Sequence, residues 1–378
     1  MAQFKASPEL LNDRFLKACR FEKTDRTPIW LMRQAGRYLP EYNATRSKAG
    51  SFLALAKNPQ FAAEVTMQPL DRFELDAAIL FSDILTIPDA MGLGLNFVQG
   101  EGPQFSKPLN TEKRILDLQV ADMGQLTYVF DAVKEIRKAL ITNGKQRVPL
   151  IGFSGSPWTL ACYMIEGAGS KDFYQTKSLM FKRPDLIQRV LDINIDSISE
   201  YLLQQIFSGA QAAMLFDTWG GLLSNEDYIK YSLLPMQKII KRIKAHPEVP
   251  KDLPVMLFTK GGSSWLADMA GVGADVIGLD WSNSLGKSRE QLNQLNKKIA
   301  IQGNLDPLVL LSDPKTIQNK AISLLEELAL TSNKNEGLSS LDGHIFNLGH
   351  GISQFTPPEN VQALIEQVIK TSTLLRKT

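Results

Sequence analysis

Cysteine and histidine are scarce in this sequence, and their scarcity limits the chemistry that the protein can perform. The chain of 378 residues has two cysteines, Cys19 and Cys162, and three histidines. Two cysteines cannot build a disulfide framework, and so few scattered His and Cys residues argue against a zinc site. We therefore predict no metal ion, and the cysteine usage suits a reducing compartment.

The chain also lacks an excess of charge and any long apolar run. Its 42 basic and 40 acidic residues give a net charge of +2. A nucleic-acid partner would need a basic excess on one face, so any cationic site must be local. No apolar run is long enough for a membrane span, and the N-terminal stretch MAQFKASPELLNDRF has no apolar signal region. We expect a cytoplasmic protein with neither a nucleic-acid nor a membrane partner.

What the chain does contain is a series of eight short apolar runs. Each has four to six residues and is apolar on both faces, which is typical of strands buried in a parallel sheet. The runs are PIWLM from Pro28, AAILF from Ala77, LIGFS from Leu150, AAMLF from Ala212, PVMLFT from Pro254, DVIGL from Asp275, KIAIQ from Lys298 and HIFNLG from His344.

Helical patterns lie between these runs. They span Pro59–Arg72, Met123–Ile141, Pro184–Phe207, Asn225–Ala245, about Lys315–Leu330 and Pro358–Arg376. Alternation repeated eight times predicts an α/β fold of the (β/α)8 TIM-barrel type, with the active site at the C-terminal ends of the strands. A doubly wound open sheet is the alternative, and the absence of a Gly-rich nucleotide loop disfavours it. No linker divides the chain, so we predict one domain over residues 1–378. The glycine-rich stretch 91–104 is either a mobile flap or a long connection.

Polar residues follow the predicted strands at the edge where a barrel enzyme has its site. In chain order they are Arg33 and Arg37, Asp83, Ser156 with Tyr163, Asp217 with Thr218, Lys260, Asp280, Asn304 with Asp306, and His350. A fold selected only for stability would also have polar residues in its loops. The convergence of polar residues on one edge is therefore moderate evidence for a site.

Arginine is concentrated in the run IWLMRQAGRYLPEY, residues 29–42. Arg33 and Arg37 would lie on one face if this segment were helical, and Arg46 follows nine residues later. The guanidinium fork pairs with both oxygens of a carboxylate, so the cluster indicates a site for carboxylates or phosphates. A solvated helix with surface ion pairs is the alternative.

The remaining candidates each have a structural alternative. Asp83 could cap a helix, since aspartate is common at that position, or face a ligand. Tyr163 could be a packing tyrosine, and Thr218 could be a helix cap. His350 could be structural, although the glycines on both sides of it allow close approach of the backbone.

Two long motifs stand out, RQAGRYLPEY over residues 33–42 and GFSGSPWTLACYMIEG over residues 152–167. Both resemble the signatures of the uroporphyrinogen decarboxylase family. Shorter matches run along nearly the whole chain: FSDIL from Phe81, FDTWGG from Phe216, GLDW from Gly278, QGNLDP from Gln302 and NLGHG from Asn347.

The resemblance implies a role for each candidate residue. Arg33, Arg37 and Arg46 would pair with the carboxylates of the substrate. Asp83 would accept hydrogen bonds from pyrrole N–H groups and stabilise positive charge on the protonated ring. Tyr163 would lie near Asp83, while Thr218 and His350 would bind the substrate.

The resemblance also implies the reaction. The four acetate side chains of uroporphyrinogen III would be decarboxylated to give coproporphyrinogen III and four CO₂, with no cofactor, in a homodimer. Arg37 is the family's candidate proton donor, but a guanidinium loses its proton only above about pH 12 and is a poor acid. A tetrapyrrole carrier without catalysis is a second hypothesis. Corrinoid-linked methyl transfer is a third, and the chain lacks the C-terminal Cys that its zinc site needs.

Overall fold

Seven of the eight apolar runs form one parallel sheet. The computed structural model describes residues 8–98, 102–331 and 337–377. Its strands are β1 Ala78–Ile79, β2 Leu95–Val98, β3 Gly102–Phe105, β4 Ile141–Thr142, β5 Lys145–Gln146, β6 Leu150–Gly155, β7 Ala212–Asp217, β8 Val255–Thr259, β9 Val276–Gly278, β10 Ala300–Leu305 and β11 His344–Leu348. The seven-stranded sheet has the order β1-β6-β7-β8-β9-β10-β11, and each neighbouring pair is parallel.

The sheet is the centre of the core. Every residue of β6, β8, β10 and β11 is buried, as the unbroken apolar runs predict for strands covered on both faces. Sequential strands are neighbours, so the chain returns through a helical crossover after each strand of the sheet. This order brings the carboxyl ends of all seven strands to one edge.

The first predicted run, PIWLM, is not a strand, and this corrects the prediction. Ile29 forms only an isolated bridge with Phe346, although the N–H of Phe346 donates to Pro28 at 2.8 Å and the N–H of Asp76 donates to Ile29 at 2.8 Å. The segment therefore lies between β11 and the start of β1 and bonds to both.

Side chains explain why no regular ladder forms there. The N–H groups of Ile29, Leu31 and Met32 donate to the side chains of Asp76, Gln34 and Asn347, at 2.7, 3.1 and 2.9 Å. A strand needs those donors for its neighbour's carbonyls. What the structure establishes is an α/β fold with a seven-stranded parallel sheet.

Each predicted helical pattern corresponds to helical structure, and the described residues contain further helices that were not predicted. They are α1 Arg14–Cys19, α2 Pro40–Ala49, α3 Phe52–Ala56, α4 Pro59–Arg72, α5 Thr86–Pro88, α6 Glu112–Asp117, α7 Thr127–Ala139, α8 Pro157–Glu166, α9 Tyr174–Lys182, α10 Pro184–Ser208, α11 Asn225–Asp227, α12 Leu234–Ala245, α13 Leu266–Met269, α14 Leu285–Gln294, α15 Pro314–Ala329 and α16 Pro358–Leu375. The start of α4 is fixed by Asn58, whose side chain accepts from the N–H groups of Gln60 and Phe61, both at 3.0 Å.

The pattern predicted as one helix over Asn225–Ala245 is interrupted. A wider, π-helical turn at Tyr228–Leu233 separates α11 from α12. Pro235 has no N–H and its ring crowds the carbonyl four residues earlier, which disfavours continuous α-helical bonding there.

The glycine-rich stretch 91–104 is in part an antiparallel hairpin. Strands β2 and β3 pair with Leu95 opposite Phe105. Gly100 lies outside the described residues, so the choice between a mobile flap and a plain connection stays a prediction.

Candidate active site

The carboxyl edge of the sheet gathers the polar residues that follow the strands. Arg33 is central, because its charge lowers the pKa of Asp83, which follows β1, and also that of His350, which follows β11. It also lowers the pKa of Tyr163, on α8. Four of the predicted site residues are therefore within electrostatic reach of one another.

The turn that carries Arg33 differs from the predicted helix. Residues 31–39 are turns and bends, Arg33 has a φ of 62°, and the helix α2 begins only at Pro40. The shared face for Arg33 and Arg37 was predicted only if this segment were helical, and since it is not helical they share no helical face. A positive φ is uncommon for a residue with a side chain, and tertiary contacts must hold it in place.

Gly351 supplies one of those contacts. A Cβ atom added at Gly351 would lie 2.3 Å from Cδ of Arg33, so the arginine stem lies directly on the glycine backbone. The N–H of Ile352 donates to the carbonyl of Met32 at 3.0 Å and joins the same two loops. Gly349 makes a comparable approach, since its Cβ would lie 2.7 Å from the backbone nitrogen of Trp281. The close approach predicted for the glycines around His350 is confirmed.

Arg33, Arg37 and Arg46 are alike in that their side chains lack partners among the described residues. Within the described residues none of their guanidiniums donates a hydrogen bond or lies in an ion pair. Every other arginine of the chain donates to a carboxylate, an amide or a backbone carbonyl. These arginines are Arg14, Arg20, Arg26, Arg72, Arg114, Arg137, Arg147, Arg183, Arg189, Arg242, Arg289 and Arg376. Guanidiniums that the rest of the protein does not engage are suited to an anionic ligand.

Asp83 is half-buried and partly engaged by its own loop. Its Oδ1 atom accepts the N–H of Leu85 at 2.8 Å, two residues ahead of it. This bond closes a turn within the loop and does not cap α5, whose N-cap residue is Leu85, so the capping alternative is wrong for Asp83. Its Oδ2 atom accepts no hydrogen bond from any residue that the structure describes. Burial raises the pKa of Asp83, while the bond from Leu85 and the charge of Arg33 lower it. One carboxylate oxygen thus remains available to a ligand.

Tyr163 is positioned by a well-defined helix start. The side chain of Ser156 caps α8 by accepting the N–H of Thr159 at 3.0 Å, and Pro157 occupies the first turn. The half-buried ring of Tyr163 contacts Trp219 edge-on, with 6.1 Å between ring centroids. Burial raises the pKa of Tyr163, so its hydroxyl stays protonated and can donate at neutral pH.

Thr218 lies in the turn after β7 and is half-buried. It does not cap a helix, because the short 3₁₀ helix Gly220–Leu222 that follows has Trp219 at its N-cap position. In the part of the chain that the structure describes, the Thr218 hydroxyl makes no hydrogen bond. The capping alternative is therefore wrong for this residue.

His350 is half-buried beside Phe258, with 6.2 Å between ring centroids. Burial, followed by the charges of Arg33 and Lys260, lowers the pKa of His350 to about 4, against a raising effect from Asp280. The imidazole is therefore neutral at pH 7. It can donate one hydrogen bond and accept another, but it does not bring a positive charge.

Asp217, at the end of β7, holds the loops of the site together. This fully buried carboxylate accepts four hydroxyl hydrogen bonds. Ser156 and Thr159 donate to Oδ1 at 2.6 and 3.1 Å, and Ser232 and Thr259 donate to Oδ2 at 2.7 and 3.1 Å. Sequence reasoning noted Asp217 at a strand end and missed this role, because its donors are far apart in the chain.

We expect Asp217→Asn to lower the free energy of unfolding by about 2 kcal/mol, because an amide nitrogen cannot accept the two hydroxyls that face it. Urea unfolding of the purified variant measures the change. The matched control is Asp268→Asn, at an exposed position, for which we expect no change above about 0.5 kcal/mol. Equal stability of the two variants would contradict the role assigned to Asp217.

Two further strand-end residues are structural. The Nδ2 atom of Asn304 donates to the carbonyls of Asp280 and Asn283, both at 2.8 Å. Asp306 caps the 3₁₀ helix Pro307–Leu311 by accepting the N–H of Leu308 at 2.9 Å. These two side chains are engaged by the protein itself.

Metal-ligand clusters and membrane-spanning helices are both absent from the described residues. Within residues 8–98, 102–331 and 337–377, no group of three or more His, Cys, Asp and Glu side chains could hold a metal ion. Cys19 and Cys162 are free and buried, and burial raises the pKa of both thiols. Over the same described ranges no helix combines the length and the apolarity that crossing a bilayer requires.

Fold and site together define an α/β protein with a group of unpaired cations at the carboxyl edge of a parallel sheet. The family profile described as uroporphyrinogen decarboxylase (URO-D) matches residues 10–371. This chain belongs to the uroporphyrinogen decarboxylase family.

Named relatives cover nearly the full length. The uroporphyrinogen decarboxylase of Cupriavidus metallidurans is 57% identical over 97% of this chain and 97% of the relative. That of Ralstonia pickettii is 56% identical over 98% of both chains. Among solved structures, a methyltransferase from Methanosarcina mazei superposes with a TM-score of 0.75, covering 96% of this chain and 99% of its own. Its sequence identity is 21%, so the likeness concerns the fold alone.

Proposed function

We propose that this protein is a uroporphyrinogen decarboxylase, which converts the four acetate side chains of uroporphyrinogen III into methyl groups. The products are coproporphyrinogen III and four CO₂. The observation that carries the proposal is the half-buried Asp83 with one free oxygen beside Arg33, one of three arginines without a partner among the described residues, in a chain of this family. The substrate is a macrocycle with eight carboxylates, and it supplies the anions that these arginines lack.

Each residue of the site has a role in this reaction. Arg33, Arg37 and Arg46 pair with peripheral carboxylates, and the hydroxyl of Thr218 donates to another. The free Oδ2 atom of Asp83 accepts hydrogen bonds from pyrrole N–H groups and fixes the centre of the ring. Tyr163 donates from the side of α8. The neutral imidazole of His350 binds the substrate without adding charge.

The pyrrole ring serves as the electron sink. A proton added to a pyrrole α-carbon makes the ring cationic, and the charge of Asp83 stabilises that cation in a poorly solvated site. The C–C bond of the acetate then breaks, CO₂ leaves, and the bonding pair neutralises the ring and forms an exocyclic double bond. Protonation of the exocyclic carbon and loss of the α-proton restore the aromatic pyrrole with a methyl group. The substrate supplies what an added cofactor would otherwise provide, so we propose no cofactor.

We further propose that residues 1–378 form a single domain and that the sheet closes into a (β/α)8 barrel. The segment 28–32 would occupy the eighth position, and the bonds from Phe346 and Asp76 to this segment support the closure. A cytoplasmic location stays a prediction from composition.

A homodimer is also proposed from the resemblance. Apolar side chains at the carboxyl edge support an interface there: Leu308, after β10, is 60% exposed, and Phe355, after β11, is 75% exposed. Sedimentation at micromolar concentration tests the dimer. A single species of monomer mass would refute it.

Anaerobic incubation with uroporphyrinogen III tests the activity. Samples are oxidised at intervals and the porphyrins are separated by chromatography. Stepwise appearance of species with seven, six, five and four carboxylates, without added cofactor, is the expected result. Unchanged substrate with folded protein would refute the decarboxylase and favour the tetrapyrrole carrier.

A further inference from the structure

A fourth cation without an anionic partner lies on the same edge. Lys260 follows β8 directly and is half-buried. Within the described residues its ammonium group makes no hydrogen bond and no ion pair. Among the residues that the structure describes, the ammonium contacts one aromatic ring, that of Trp281, whose centroid is 5.9 Å from Nζ.

The backbone around Lys260 is held from two sides. Its N–H donates to the carbonyl of Asp217 at 3.1 Å, and the N–H of Gly261 donates to Oδ2 of Asp280. A Cβ atom on Gly221 would lie 2.2 Å from the carbonyl oxygen of Lys260, so the loops after β7 and β8 are in direct contact. The position of Lys260 is therefore defined by the sheet edge.

Lys260 faces the same space as His350. Gly349 packs on Asp280 and Trp281, which places the loop of His350 beside the ring that Lys260 covers. Arg33 and Lys260 both act electrostatically on His350. The nearby carboxylates are already occupied, since Asp280 accepts from the N–H groups of Gly261 and Ser282 and Asp217 accepts four hydroxyls.

We propose that Lys260 binds a carboxylate of the substrate, on a side chain other than the acetate that is reacting. The inference rests on the proposed function and extends it. In the sheet β8 is three positions from β1, the strand that precedes Asp83, so a ring centred on Asp83 would present its periphery to Lys260.

The chemistry of CO₂ loss explains why the carboxylate is a non-reacting one. A leaving carboxylate becomes neutral CO₂, so an ammonium bound to it would stabilise the ground state more than the transition state. A cation bound to a carboxylate that stays charged throughout stabilises both states equally. Its removal should then raise KM and leave kcat nearly unchanged.

The experiment compares Lys260→Gln, Lys260→Arg and the wild type. We expect Lys260→Gln to raise KM for uroporphyrinogen about tenfold, with kcat within about threefold of wild type. Lys260→Arg should restore most of the affinity, because it keeps the charge and the stacking on Trp281. The control is Lys251→Gln, an exposed lysine that precedes β8 and so lies at the opposite end of the same strand.

Two kinetic results would overturn the proposal. One is a KM of Lys260→Gln within twofold of wild type. The other is a tenfold loss of kcat at unchanged KM, which would place the lysine in the chemical step. Two further results would also contradict it. Failure of Lys260→Arg to recover affinity would indicate a packing role, and an equal loss in Lys251→Gln would indicate a general effect of removing one positive charge.

Equilibrium binding separates this inference from the proposed function. Fluorescence titration with uroporphyrin, which keeps all eight carboxylates, measures affinity without turnover. Weaker binding by Lys260→Gln supports the lysine site even if the wild type decarboxylates nothing. Equal affinity of the variant and the wild type refutes the lysine site even if the wild type is fully active.

Discussion

Asp83→Asn is expected to lower kcat by about 100- to 1,000-fold and to raise KM by a much smaller factor. The amide nearly matches the carboxylate in shape, and its oxygen can still accept the N–H of Leu85, which Asp83 accepts at 2.8 Å. The variant loses the negative charge that opposes the cationic pyrrole in the transition state, and its amide nitrogen cannot accept the pyrrole N–H groups as Oδ2 does. Steady-state decarboxylation under anaerobic conditions measures both constants.

Asp306→Asn is the matched control for that result. Asp306 also follows a strand and also accepts the N–H two residues ahead, at 2.9 Å. We expect its kinetics to equal those of the wild type. If Asp83→Asn kept full kcat, or lost it only as much as Asp306→Asn did, the electrostatic role of Asp83 would be wrong.

Gly351→Ala is expected to lower kcat/KM by about 100-fold and to leave the fold intact. The added methyl would lie 2.3 Å from Cδ of Arg33, and the flexible arginine stem is the group that must move. A displacement of about 1 Å in a positioned charge can cost this much. Steady-state kinetics and thermal unfolding of the same preparation separate the two effects.

Two other glycines, Gly349 and Gly169, provide control substitutions for Gly351→Ala. Gly349→Ala would place its methyl 2.7 Å from the backbone nitrogen of Trp281. Because backbone moves less easily than the end of a flexible side chain, we expect a lower melting temperature. Gly169→Ala has no atom within 4 Å of the new methyl and should change neither property. Wild-type kcat/KM in Gly351→Ala would show that the position of Arg33 is not critical.

Much of the fold could be predicted from local sequence. The continuous apolar runs of β6, β7, β8, β10 and β11 identify buried strands because no polar face interrupts them. The helix α4 was placed correctly because Asn58 and Pro59 are a capping residue and a first-turn proline, whose effects act within one turn.

The segment 28–32 shows where local reasoning fails. Its residues are as apolar as those of a strand, yet Asp76, Gln34 and Asn347 take the N–H groups that a ladder would use. Asn347 is more than three hundred residues away in the chain. The apolar pattern of a segment does not indicate which distant side chains will accept hydrogen bonds from its N–H groups.

The sequence by itself indicated the seven strands of the parallel sheet in their order along the chain, and the family to which the chain belongs. It also indicated which residues follow the strands at the site edge. Only the tertiary structure decided that Arg33 adopts a left-handed backbone, that Arg33, Arg37 and Arg46 have no partner among the described residues, and that Asp217 is fully engaged. The physical reason is that propensity and capping act over a few residues, whereas pairing and burial depend on groups brought together from distant parts of the chain.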